Sequence, residues 1–177
     1  MPGAVRTSVF VGASVDGFIA RPDGRFDFLP DTPEPHGFDE FFASIDALLM
    51  GRKTYETALS FGNWPYGSKP VFVWSSRPLA AAPTGAVLER LSGTPADIFD
   101  ALAARHIRHA YVDGGQTVQS FLRAGLIDRV VVTRVPVLIG SGISIFGPLE
   151  RDLRLRHVMT RHFPSGLVQS EYEVVAA

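Results

Sequence analysis

Cysteine is absent from the 177-residue sequence. Its absence excludes disulfide bonds, thiolate nucleophiles and cysteine-bound metals, and it fits a reducing cytoplasm, where we expect the protein to reside. The signatures HExxH, GxSxG and Walker A are also missing, which excludes the zinc peptidases, α/β-hydrolases and P-loop enzymes that carry them. The five histidines have no metal-ligand spacing, so we predict no metal site.

Dense blocks of like charge and long apolar runs are lacking as well. Lysine and arginine number 17, aspartate and glutamate number 18, and the formal net charge is −1. These charges are scattered, so the chain has no electrostatic footprint for nucleic acid or an anionic membrane surface. The apolar runs are too short to span a bilayer. We therefore expect the main partner to be a small molecule, with no nucleic acid and no membrane involved.

The sequence does contain enough apolar residues, 46% of the chain, to form a full core. The length suits one domain and no linker divides it, so we predict a single domain over 1–177. Apolar strands alternate with helical patterns and end in a hairpin, which predicts an α/β fold with a mixed sheet and helices on both faces. The predicted strands cover 5–15, 47–50, 71–74, 86–90, 109–112 and 129–135, the helices 37–45, 54–59, 94–105 and 117–124, the glycine-rich loop 136–147, and the antiparallel hairpin 153–162 with 167–175.

A buried strand runs into a helix at Gly51-Arg52-Lys53-Thr54. The free N–H groups and partial positive charge of a helix N-terminus attract phosphate, and neighbouring cations strengthen that attraction. Thr54 could cap the helix or bind a phosphate oxygen itself. From the residues alone, a phosphate site and a tight turn with two solvated cations are equally supported.

Two other turns have a similar character. Ser75-Ser76-Arg77 follows an apolar strand, where it suits a ribose 2′-phosphate or forms an ordinary strand end. Gly114-Gly115 separates a strand from a helix, where it exposes N–H groups to an anion or forms a plain tight turn. Nearer the N-terminus, the small residues of 13–20 would let a flat ring lie against the backbone.

These segments occur in an order that resembles a known superfamily. They are Ser14-Val15-Asp16-Gly17-Phe18-Ile19-Ala20, Met50-Gly51-Arg52-Lys53-Thr54-Tyr55-Glu56, Val112-Asp113-Gly114-Gly115, and Leu126-Ile127-Asp128 with Pro136-Val137-Leu138-Ile139-Gly140. The chain resembles the dihydrofolate-reductase-like superfamily, and most closely the branch that includes the reductase domain of riboflavin-biosynthesis deaminase-reductases. The resemblance implies a three-layer α/β/α sandwich with a mixed, mostly parallel sheet and a C-terminal antiparallel hairpin, and NADPH across the strand ends.

The resemblance also implies roles for individual positions. Cofactor phosphates on the adenosine side would lie near Gly51, Arg52, Lys53 and Thr54, and the 2′-phosphate near Ser75, Ser76 and Arg77. The pyrophosphate would be held by Gly114, Gly115, Gln116, Thr117 and Val118, and the nicotinamide would be flanked by Ala13, Ile19 and Ala20.

We therefore expect an NADPH-dependent oxidoreductase that transfers a hydride to a C=N or C=O group of a small heterocycle, pteridine-like or pyrimidine-like. Asp113 is the first candidate for orienting the substrate or relaying a proton, followed by Asp39 and Asp16. The alternative is a non-catalytic nucleotide-binding or scaffold protein that keeps the fold. We also expect a homodimer, with the strand Arg129 to Val135 and the C-terminal hairpin as the contact surface.

Overall fold

A computed structural model describes residues 5–31 and 34–175. The helices are α1 (Phe38–Ser44), α2 (Arg52–Ser60), α3 (Pro95–Ala104) and α4 (Gly115–Arg123). The strands are β1 (Arg6–Ser14), β2 (Phe18–Ala20), β3 (Ala47–Gly51), β4 (Val71–Trp74), β5 (Leu88–Leu91), β6 (His109–Asp113), β7 (Arg129–Val135), β8 (Ile143–Ser144), β9 (Leu155–His162) and β10 (Val168–Val174). In these residues no helix is both long and apolar enough to cross a membrane.

The large sheet has the strand order β5-β4-β3-β6-β1-β7-β10-β9. The strands from β5 to β7 in this order are parallel, and β10 is antiparallel to both β7 and β9. A second, two-stranded sheet pairs β2 with β8. The mixed, mostly parallel sheet and the C-terminal hairpin are thus confirmed.

Alternation along the buried strands divides the core into two layers. Leu49 of β3 packs with the helices α3 and α4, whereas its neighbours Leu48 and Met50 pack with α1 and α2. In β6, Val112 belongs to the first layer and Tyr111 to the second. Successive side chains of a strand point to opposite faces, so both faces of this sheet are covered, as near-continuous apolar strands predict.

Helices α2 and α4 begin two residues earlier than the sequence predicted. Arg52, Lys53 and Thr54 therefore form the first turn of α2, and Gly115 begins α4. The predicted loop 136–147 contains the short strand β8, which the sequence analysis did not anticipate. Gly142 approaches the backbone of β2 so closely that a Cβ there would overlap the carbonyl of Ala20. This contact attaches the loop to the segment after β1.

Candidate active site

The two glycine turns lie side by side at the carboxyl ends of adjacent parallel strands. Gly51 ends β3 and Gly114 follows β6, and these strands are hydrogen-bonded neighbours. Neither α2 nor α4 has a side chain that caps its N-terminus, whereas Thr94 caps α3 by accepting from the N–H of Asp97. Uncapped helix N-termini leave N–H groups available to an anion. The two turns therefore offer one shared surface for phosphate groups.

The two turns fit into each other through glycine on one side and threonine on the other. A Cβ on Gly114 would overlap the hydroxyl of Thr54, and a Cβ on Gly51 would lie 3.0 Å from Oγ1 of Thr117. Gly114 also has φ 91°, a conformation that L side chains rarely adopt. Thr54 does not cap its own helix; its hydroxyl packs against the opposite turn. The sequence interpretation of Thr54 as a helix cap is wrong.

Gly115 is tied to the segment after β1. A Cβ on this residue would lie 2.9 Å from Cδ1 of Ile19 and 3.3 Å from Cγ2 of Ile143. Ile19, a predicted nicotinamide contact, therefore lies over the predicted pyrophosphate turn. Ile143 is a residue that the sequence analysis missed, because β8 is too short to leave a pattern. Glycine is thus required at these turns because the neighbouring side chains pack where a Cβ would lie.

Cations surround the first turn. The Arg52 guanidinium pairs with Glu56 at 2.5 Å, and both side chains are partly exposed. A pair this exposed contributes little stability, so the guanidinium can move to a phosphate at small cost. Lys53 is exposed. Both cations remain predicted phosphate contacts.

The strand end at Ser75-Ser76-Arg77 is only partly as expected. Ser75 is 6% exposed, and its Oγ accepts from the N–H of Arg77 and donates to the carbonyl of Arg77. Its hydroxyl thus braces the turn, which leaves Ser76 and Arg77, both exposed, to face a ligand. Arg90 of β5, which the sequence analysis missed, donates to the carbonyl oxygen of Ser75 over 3.1 Å. It adds a second guanidinium near the turn.

The small residues of β1 and β2 differ in burial, since Ala13 and Ala20 are buried and Gly12 is partly exposed. Ala13 is fully buried in the layer of α3 and α4, so its side chain is not free to flank a ring. Ala20 is 7% exposed. Its neighbour Gly12 is partly exposed, and a Cβ on it would meet Cδ2 of Leu29 at 3.1 Å, so this glycine makes room for the Leu29 side chain. A glycine inside a strand often marks close approach of another group, which here is Leu29.

The remaining predicted contacts of the second turn fall on different sides of α4. Gln116 is exposed, whereas Thr117 and Val118 are 4% exposed. Val118 packs in the core layer of α3 and α4. Thr117 can therefore serve a ligand through its backbone N–H and Gln116 through its side chain, whereas the N–H of Val118 already donates to the carbonyl of Gly114 at 2.9 Å.

Asp113 ends β6 on the face of the sheet that carries Tyr111. It is only partly buried by surface area, yet its carboxyl lies deep enough that burial raises the pKa, opposed by the Gly114 N–H and the Tyr111 hydroxyl. The Gly114 N–H donates to Oδ1 of Asp113 over 2.8 Å. The hydroxyl proton of Tyr111 is directed at the carbonyl of Phe10, also at 2.8 Å. A raised carboxyl pKa at a strand end is typical of a functional group.

The structure does not place the other two acidic candidates beside Asp113. Asp39 is exposed on α1, because Phe38 and Phe41 turn that helix's other side toward the sheet. This exposure does not test its assignment as a catalytic acid, which stays a prediction. Asp16 accepts from the N–H groups of Ile139 at 3.3 Å and Gly140 at 2.8 Å, so it fastens the loop after β7.

The sheet order thus brings the paired glycine turns and the Asp113 carboxyl together at the carboxyl ends of parallel strands, where open α/β sheets bind their ligands. The sequence matches the RibD C-terminal domain over residues 7–169, and the chain belongs to that family. The YwjB protein of Bacillus subtilis (strain 168) is 28% identical over 163 residues, which cover 89% of this chain and 92% of YwjB. The family predicted by resemblance is thereby confirmed.

Solved structures agree with the fold. A crystal structure of a protein from Shewanella sp. PV-4, assigned provisionally to riboflavin biosynthesis, has 35% sequence identity to this chain and a TM-score of 0.86. The match covers 97% of this chain and 100% of the Shewanella chain. A deaminase and 5-amino-6-(5-phosphoribosylamino)uracil reductase of Thermotoga maritima has TM-score 0.73 at 16% identity, covering 97% of this chain and 57% of its own. A dihydrofolate reductase of Enterococcus faecalis has TM-score 0.62 at 16% identity, covering 96% and 94%. The dihydrofolate-reductase-like fold is confirmed, and the family supports a reductase role.

Proposed function

We propose that the protein is an NADPH-dependent reductase that transfers a hydride to a C=N or C=O carbon of a small heterocyclic substrate. The observation that carries this proposal is the reciprocal fit of the turns at Gly51 and Gly114, which brings two uncapped helix N-termini side by side. The raised pKa of the Asp113 carboxyl, at the end of the same strand, supports it.

Bound NADPH would supply the hydride, and the acceptor nitrogen or oxygen would then need one proton to complete the reduction. The backbone N–H groups of both turns would hold the phosphates, with Arg52 and Lys53 beside the first turn. Arg77 would approach the 2′-phosphate, which favours NADPH over NADH. Asp113 would orient the substrate ring or pass the proton, because burial keeps a proton on its carboxyl to higher pH.

Titration with NADPH, followed by nicotinamide fluorescence, tests the cofactor assignment. We expect saturable binding in the micromolar range, typical of enzyme cofactors and substrates. No binding at millimolar NADPH would contradict the reductase. Binding without oxidation by any heterocycle would favour the scaffold alternative.

We further propose a homodimer formed through the C-terminal hairpin. The strand β7 is paired on both edges, by β1 and β10, so it offers no free edge. All eight residues of β9 are exposed, among them Leu155, Val158 and Met159 at 41–42%. An exposed apolar edge strand is a liability that a partner would remove. Light scattering should give twice the chain mass, and a monomer mass would contradict the proposal. The cytoplasmic location stays a prediction.

A further inference from the structure

A second pocket lies away from the glycine turns, at the opposite end of α4. It has a volume of about 240 Å³ and lies between the last turn of that helix and the segment that joins β8 to β9. Three leucines, two arginines, a glutamate and a glycine line it. None of these residues belongs to the proposed cofactor site, so the pocket is a separate candidate for binding.

The apolar part of this pocket is made of leucine side chains. Leu122 is 4% exposed, Leu153 packs on the core layer of α3 and α4, and Leu149 is 39% exposed. Gly125 has φ 69°, and a Cβ on it would meet nothing within 4 Å, so this part of the wall is bare backbone. Since an apolar cavity of about 150 Å³ already holds benzene, the pocket has room for the apolar body of a small molecule.

Two guanidinium groups line the same pocket with most of their hydrogen-bond donors unused. Arg123 donates to Oγ of Ser120 over 3.2 Å and forms no ion pair within residues 5–31 and 34–175. In the same ranges Arg151 forms neither a hydrogen bond nor an ion pair. Both arginines are exposed. A guanidinium binds a carboxylate through two parallel hydrogen bonds, so either arginine can accept such a ligand without giving up an ion pair.

The charge of the pocket favours an anion with a single negative charge. Glu150 also lines the pocket, and it pairs with neither arginine. Two positive charges and one negative charge leave one positive charge around the pocket, and Asp152, which follows in the chain, limits it further. A phosphate ester carries close to two negative charges at neutral pH, so these two carboxylates would repel it more strongly than a carboxylate ligand.

We propose that this pocket binds a small amphipathic carboxylate, with its apolar body on the leucines and its carboxylate group on the guanidiniums of Arg123 and Arg151. The ligand would supply the ion-pair partners that these two arginines lack in the described part of the chain. The inference goes beyond the proposed function and does not depend on it, because the pocket shares no residue with the glycine turns.

An NMR titration of the ¹⁵N-labelled protein tests the inference with 3-phenylpropionate as the ligand. We expect saturable binding with a dissociation constant in the low millimolar range or below, as suits a ligand of this size. The largest amide shifts should fall in residues 122–125 and 149–153. Two matched ligands, the neutral 3-phenylpropan-1-ol and the doubly charged phenyl phosphate, should each bind at least about fivefold more weakly, since each loses part of the charge match.

Four variants test the named side chains. Arg123→Gln and Arg151→Gln should each weaken 3-phenylpropionate about fivefold, the loss of one charge-assisted contact at an exposed position. Leu149→Asp should weaken it at least about tenfold, because it removes apolar surface and adds a like charge. Arg154→Gln is the matched control, because Arg154 is an exposed arginine of the same segment that does not line the pocket. It should leave the affinity unchanged. All four positions are exposed, so the variants should remain folded.

Several results would overturn the inference. They are the absence of saturable binding, equal or tighter binding of either matched ligand, and a loss in Arg154→Gln as large as in Arg151→Gln. Competition by NADP⁺, or amide shifts centred on the glycine turns, would also overturn it, because the carboxylate would then occupy the proposed cofactor site. Failure of NADP⁺ itself to bind would contradict the proposed function alone, since the four variants test the pocket without the cofactor.

Discussion

Replacing Gly114 with alanine should destabilise the protein for two separable reasons. The first is backbone strain, because φ is 91° at this position, and such conformations cost about 1–3 kcal/mol for a residue with a Cβ. The second is steric, because the new methyl group would overlap the hydroxyl of Thr54, and overpacking typically costs about 1–3 kcal/mol. The centres of the two ranges add to about 4 kcal/mol for Gly114→Ala.

Urea denaturation of a double-mutant cycle separates the two contributions. Thr54→Ala removes the overlapping hydroxyl, so in the double variant the added cost of Gly114→Ala should fall to the strain alone, about 2 kcal/mol. Gly24→Ala is the matched control, because Gly24 has φ 88° and a Cβ on it would meet nothing within 4 Å. Equal losses for Gly114→Ala and Gly24→Ala, or strictly additive effects in the cycle, would refute the interlocking of the two turns.

Three further variants test other parts of the site and its support. Arg77→Ala should weaken NADPH about tenfold while leaving NADH nearly unchanged, as measured by fluorescence titration; equal losses for both would contradict a 2′-phosphate contact. Asp113→Asn should lower turnover about a hundredfold at saturating cofactor. Because the folded-state pKa of Asp113 is raised, the carboxylate opposes folding above its unfolded pKa. The variant should therefore melt higher than the wild type at pH 7, with the difference shrinking toward pH 3, and a pH-independent difference would contradict this. Gln169→Leu should cost about 1–3 kcal/mol in urea unfolding, because this residue is 3% exposed and its amide donates to His36 and Thr133, both at 2.9 Å; a neutral change would show that these bonds do not matter.

Much of the fold could be predicted because buried strands and amphipathic helices leave periodic patterns. The helix starts were less predictable. Gly115 was read as turn because glycine disfavours helices, yet the first turn tolerates it, since the N–H groups there have no helical partner in any case. Strand β8 has two residues, Ile143 and Ser144, and two residues carry no period.

The site was predictable to the extent that glycine marks it. Gly51 and Gly114 indicated close approach of the backbone. Each of them also faces a threonine of the other turn, and this contact depends on the pairing register of β3 and β6, which the local sequence does not encode. The spacing of the phenylalanines in α1 did predict which side of that helix faces the core, and it leaves Asp39 exposed.

The polar groups at the two ends of β6 differ in how well they are hydrogen-bonded within the protein, and this difference indicates where a ligand binds. At the amino end of β6, Asp46 accepts from the N–H of His109 at 2.9 Å, and the His109 ring contacts Oγ of Ser8 at 2.8 Å. At the carboxyl end of the same strand, burial raises the pKa of the Asp113 carboxyl, whose Oδ1 accepts from the N–H of Gly114 at 2.8 Å. A partner that compensated this burial would stabilise the fold, as the hydrogen bonds at the other end do. The polar groups at the amino end of β6 are thus paired within the protein, whereas the carboxyl end holds a carboxyl group with a raised pKa. This arrangement leaves the carboxyl end preorganised for a ligand, and the polar groups there indicate which polar atoms that ligand presents.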